Sequence, residues 1–128
     1  MHHRYIVATF FLGWLGAAFG CGSSRLPTPA DPQRARETLR TALDAWKNGE
    51  SSEALQKRSP PIHVRDADWS DGWKLKEYRF TLDDEQHGQQ RRCYVRLTLQ
   101  SPNGKAAGKE VQYLVDTAPA LVIVRADD

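Results

Sequence analysis

The sequence predicts an α+β fold: two N-terminal helices packed on a curved antiparallel sheet of about five strands, preceded by a signal segment that is cleaved. Two observations carry the prediction. Apolar residues recur at near-fourfold spacing from Ala35 to Trp46, and from Ile62 onward the spacing changes to two. Strand-like runs then follow one another across short turn sequences, which is the pattern of an antiparallel meander.

Asp31-Pro32 opens the first helix. The aspartate accepts from backbone amides that have no partner, and proline at the first helical position lacks an amide that would be idle there. Ala35, Leu39, Ala42, Leu43 and Trp46 line one face, and Arg34, Glu37, Arg40 and Asp44 lie elsewhere. Asn48-Gly49 supplies a left-handed stop, Ser51 or Ser52 caps a shorter helix reaching Lys57, and Ser59-Pro60-Pro61 ends it. Ile62 and Val64 begin a short strand that runs into Asp66-Ala67-Asp68-Trp69 and the turn Ser70-Asp71-Gly72. Lys74 to Leu82 reads as a strand with Tyr78, Phe80 and Leu82 on one face, and Leu75 falls out of phase, as at a bulge. Arg92 to Gln100 alternates cleanly, with Cys93, Val95, Leu97 and Leu99 on the apolar face. Ser101-Pro102-Asn103-Gly104 turns the chain into Lys109 to Asp116, and Thr117-Ala118-Pro119 turns it into Leu121 to Arg125.

The leading segment is a different kind of sequence. Met1 to Tyr5 carry Arg4, Ile6 to Phe19 is almost wholly apolar, and small residues crowd the end of the run. These are the regions of a secretory signal. A spanning helix needs ~20 apolar residues to cross ~30 Å of hydrocarbon. This run is shorter and is followed by Cys21-Gly22-Ser23-Ser24 without a basic stop-transfer cluster.

Ala18-Phe19-Gly20-Cys21 resembles the lipobox of bacterial lipoproteins. The resemblance implies a signal peptide over residues 1–20, acyl chains on Cys21 and a membrane partner reached through them. Two or three chains hold a protein stably where one holds it reversibly. Gly22 is not the aspartate that retains such proteins on the inner membrane, so the resemblance implies a periplasm-facing position at either membrane, with the outer one favoured. Ala18-Phe19-Gly20 also satisfies ordinary signal cleavage, which would release a secreted, soluble form. Residues 21–30, with two prolines and no apolar periodicity, read as a polar tether, and residues 31–128 as one domain. With Cys21 acylated, Cys93 is the single remaining thiol; with Cys21 bare, the two cysteines could pair, within one chain or between two.

Residues 1–20 hold one arginine and no acid, so their removal lowers the net charge from +2 to +1. That near-balance argues against a nucleic-acid partner. Two histidines, His63 and His87, remain after residue 20, far apart in sequence, and no spacing fits a metal site.

The order helix, helix, strand, meander, with Ala42 to Glu50 closing the first helix on Trp46 and Gly49, resembles the cone-shaped nuclear transport factor 2-like, or ketosteroid-isomerase-like, superfamily. Its usual third helix is absent here or shrunk to Asp68 to Trp73. The resemblance implies a ligand between helix and sheet, with an acid beside hydrogen-bond donors. Asp66, Asp68 and His63 are then the candidate catalytic residues, and Trp46, Trp69, Trp73, Tyr78 and Tyr113 the candidate pocket residues. The bland readings are aspartates capping a turn and aromatics filling a small core. The expectation is a lipid-anchored envelope protein with a small non-catalytic binding or interaction domain, without cofactor or metal. A small apolar ligand and a homodimer through the sheet face are the partners considered. The alternative is a ketosteroid-isomerase-like enzyme acting on a hydrophobic substrate.

Overall fold

The computed structural model describes residues 28–126. Cys21, the signal segment 1–20 and most of the tether lie outside the described residues. One main helix lies against a curled half-barrel sheet. Helix α1 spans Pro32–Lys47 and starts as its sequence requires, with Asp31 Oδ2 accepting from the Arg34 amide at 2.8 Å. It ends at Asn48, and Gly49 takes φ 84°, a conformation in which a side chain would be strained.

The expected second helix is not an α-helix. Glu53–Lys57 forms a single 3₁₀ turn that buries Leu55. Ser52 makes no side-chain cap hydrogen bond to the turn, and a short segment that buries Leu55 and stops before Pro60 takes the tighter 3₁₀ winding. A one-turn helix, α2, spans Ala67–Ser70, overlapping the stretch where at most a shrunken helix is expected.

The strands are β1 (Ile62–Arg65), β2 (Lys74–Phe80), β3 (Glu85–His87), β4 (Gln90–Gln100), β5 (Ala106–Asp116) and β6 (Leu121–Arg125). They form one six-stranded sheet in the order β1-β6-β5-β4-β2, with β3 paired to β4 beyond the end of β2. The meander β2-β4-β5-β6 is antiparallel, and the register shift between Leu75 and Glu77 places the bulge where Leu75 fell out of phase. The expectation of a wholly antiparallel sheet is corrected at β1, which pairs parallel to β6 with Ile62 opposite Leu121. Between Arg65 and Lys74 the chain crosses from one edge of the sheet to the other through α2, so β1 cannot be a hairpin partner of β2.

The core is continuous. Leu39, Leu43 and Trp46 of α1 belong to the same buried cluster as Val95, Leu97, Val111 and Tyr113 of the sheet. Cys93 is fully buried within it, and burial first, then the charge of Asp84, pushes its thiol up to about 12.

Candidate functional site

Three of the five aromatic candidates meet at one end of the domain. Trp46, from the last turn of α1, stacks on Trp69 of α2 with centroids 5.1 Å apart and planes within 5°. Both indole N–H groups are used internally: Trp46 Nε1 donates to the Trp73 carbonyl at 2.8 Å, and Trp69 Nε1 donates to the Glu50 carbonyl at 3.1 Å. The stack therefore fastens the end of α1, the crossing segment and the start of β2 together. Above it lies a cleft of about 570 Å³, walled by Lys47 to Ser51 and by Gly72 to Lys76. Trp46 and Trp69 are 3% and 7% exposed, so they form its floor and offer little more than their edges. Trp73 is half-buried, and the Lys109 ammonium sits 4.8 Å from its ring centroid.

The other two aromatics are elsewhere. Tyr78 donates to Asp44 Oδ1 at 2.6 Å and borders a neighbouring groove beside β2; burial and the Asp44 carboxylate together raise its hydroxyl to about 12. Tyr113 is buried and donates to Asp66 Oδ2 at 2.6 Å.

That contact belongs to a buried polar cluster next to the cleft. Asp66 is 4% exposed and caps α2, accepting from the Trp69 amide at 3.2 Å, and it also receives Arg125 Nη1 at 3.2 Å. Asp68 receives Arg125 Nη1 at 2.5 Å and Lys109 Nζ at 2.8 Å. Burial alone would raise the Asp68 carboxyl, but the hydrogen bonds and charges of Lys109 and Arg125 outweigh it and hold the group below its ordinary value. Asp68 is held as a carboxylate between two fixed cations, and Asp66 is engaged by Trp69, Tyr113 and Arg125, an arrangement that suits structure and works against proton transfer.

His63 does not join them. It is exposed on β1 and borders a shallow groove with Pro60, Pro61 and Pro119, near the start of α1. His87 lies in β3 and contacts Arg92 Nη2 through Nδ1 at 2.8 Å. Among the described residues, no group of three His, Cys, Asp or Glu side chains is placed to hold a metal ion.

Sequence reasoning missed Arg125 and Lys109. The signal for Arg125 was present: Leu121, Ile123 and Arg125 alternate onto one face, so an arginine at the inward position demands a buried acid. Lys109 left no comparable trace, because an exposed-looking lysine at a strand start is ordinary. No protein-family model, curated protein or solved structure matches the chain.

Proposed function

We propose that the chain is a cell-envelope protein anchored through acyl chains on Cys21, carrying a small non-catalytic binding domain that works through the tryptophan-floored cleft. The observation that supports this reading is the polarity of the domain. The chain enters at one end, where the Ala30 amide donates to the Gln89 carbonyl at 2.9 Å and the Asp31 amide donates to Thr117 Oγ1 at 3.1 Å. The cleft opens at the other end of α1, whose sixteen residues span ~24 Å at 1.5 Å each. Ala30 is nine positions past Cys21, so a lipid on that sulfur would hold the entry end near the membrane and leave the cleft facing away from it.

The cone-family resemblance is part of the proposal. One long helix laid across a curled half-barrel sheet supports it, and α2 stands as the vestige of the third helix. The ketosteroid-isomerase-like alternative needs a carboxyl that takes up and releases a proton in an apolar recess. Asp66 and Asp68 are instead committed to Arg125, Tyr113 and Lys109, so binding is preferred.

The anchor is tested by intact-mass analysis of the membrane fraction from cells expressing the native chain or Cys21→Ala. The native protein should carry acyl mass and sediment with membranes, and the variant should lose both. A native protein recovered soluble, without acyl mass, overturns the anchor.

A further inference from the structure

We infer that the free edge of β2 is a docking site for an extended acidic peptide, which would add to the sheet as one more strand. The inference goes beyond the cleft and does not depend on acylation of Cys21.

The first ground is backbone geometry. Among the described residues strand β2 ends the sheet on its side of the order, with β4 as its single ladder partner. The Thr81 amide donates to the Tyr94 carbonyl at 3.0 Å, which makes Thr81 and Tyr94 a hydrogen-bonded pair. Bonded and non-bonded pairs alternate in an antiparallel ladder, so Arg79 and Arg96 form the next bonded pair. The peptide groups of Tyr78 and Phe80 must then point away from β4. They donate to and accept from no described residue. Strand addition satisfies such groups and is a recurring mode of peptide recognition.

The second ground is the groove at that edge. A recess of about 380 Å³ is lined by Lys47 and Tyr78 from the helix side of β2, and by Glu77, Arg79, Arg96 and Thr98. Its walls come from α1, β2 and β4, so it borders β2 along the stretch that carries Tyr78. At the Lys74 end it meets the tryptophan-floored cleft, which shares Lys47 as a wall.

The third ground is charge. Lys47, Lys74, Lys76 and Arg79 make no ion pair with any described residue. Arg79 faces Arg96 directly across the ladder; Glu110 lies 3.3 Å from Arg96, and in the wall of the recess Lys47, Arg79 and Arg96 outnumber the one acid, Glu77. Like charges opposite one another destabilise a sheet, and an incoming carboxylate relieves that cost. The same charges oppose self-pairing, since a second copy would set this basic row against its own repeat.

The test uses the full 128-residue chain in detergent micelles and an octapeptide of alternating glutamate and valine with blocked ends. Hydrogen exchange should slow by about tenfold or more at Tyr78 and Phe80 on binding. Lys76→Glu combined with Arg79→Glu should weaken binding by about tenfold or more, with the salt dependence reduced, while the circular dichroism spectrum is retained. An analogue of equal charge, N-methylated on the amides that would face β2, should fail to bind. Equal binding of the methylated analogue, or equal competition by oligo-deoxythymidine, would mean a merely basic surface and overturn strand addition. Concentration-dependent dimerisation through β2 would also overturn it, as would the absence of binding, which would leave the charges as simple protection of an edge against aggregation.

Discussion

Removing the Asp66 carboxylate should bring this domain close to unfolding. In Asp66→Ala three hydrogen bonds disappear together: the cap on the Trp69 amide, the bond from Tyr113 Oη and the bond from Arg125 Nη1. Loss of an N-cap costs about 1 kcal/mol. A buried donor left without its acceptor costs about 1–3 kcal/mol, and here both the tyrosine and the arginine lose one. Arg125 retains Asp68 at 2.5 Å, which limits the loss, so the sum is about 3–5 kcal/mol, the range for breaking a buried ion pair. A domain of this size has about 5–15 kcal/mol in total. Asp66→Asn keeps an oxygen for the cap and should cost less. The assay is equilibrium unfolding in urea, followed by circular dichroism and by tryptophan emission, which the Trp46–Trp69 stack makes sensitive to this region. A loss below about 1 kcal/mol for the alanine variant, with an unchanged denaturant slope, would refute the structural role given to Asp66.

Three further outcomes follow from the same packing and charges. Asp68 is held below its ordinary value of 3.8, so the stability it contributes is complete above that value and lost as pH falls through its lower folded-state value; the urea midpoint of Asp68→Asn should therefore change less with pH between about 5 and 2 than that of the parent, and parallel curves would contradict this. Cys93, raised from 9.0 to about 12, should react with iodoacetamide at pH 8 about a thousandfold more slowly than an unfolded-chain thiol, and rapid labelling of the folded protein would show the site to be open. Leu39→Ala, at a fully buried position against the sheet, should cost about 2–5 kcal/mol in the same urea assay, whereas the exposed Leu82→Ala should cost almost nothing.

The parts of this fold that are readable from sequence are those governed by local chemistry. Asp31-Pro32 and Asn48-Gly49 bound α1, because caps and left-handed glycines act within a few residues. The alternation from Cys93 to Leu99 names the buried face of β4, because one covered face demands period two. What resists reading depends on distant partners. The four residues of β1 look the same whether their neighbour runs parallel or antiparallel, and only the crossing through α2 decides it. Strand β3, exposed at all three residues, has no apolar pattern, although Gly88 at φ 59° marks its hairpin with β4. The site divides in the same way. Trp46, Trp69 and Trp73 stand out by size and do come together, but Tyr78 and Tyr113 share their residue type and alternation while serving Asp44 and Asp66.

The acidic residues of the crossing segment show why spacing alone misleads about chemistry. Asp66 and Asp68 are two apart beside an aromatic cluster, which is also how a proton-handling pair would look in sequence. What separates the readings is the source of their counter-charges. Arg125 lies at the end of β6 and Lys109 near the start of β5, and antiparallel pairing of those two strands brings both cations to the same end of the sheet. Asp68, fixed between these two groups, is held below its ordinary value and gains a rigid position in place of freedom to take up a proton. Asp66 fixes the Trp69 backbone, Trp69 stacks on Trp46, and Lys109 holds Asp68 while lying over Trp73. Charge at this end of the domain is thus spent on holding the cleft floor still, and the unpaired lysines around the rim are left to meet whatever the cleft and the β2 edge receive.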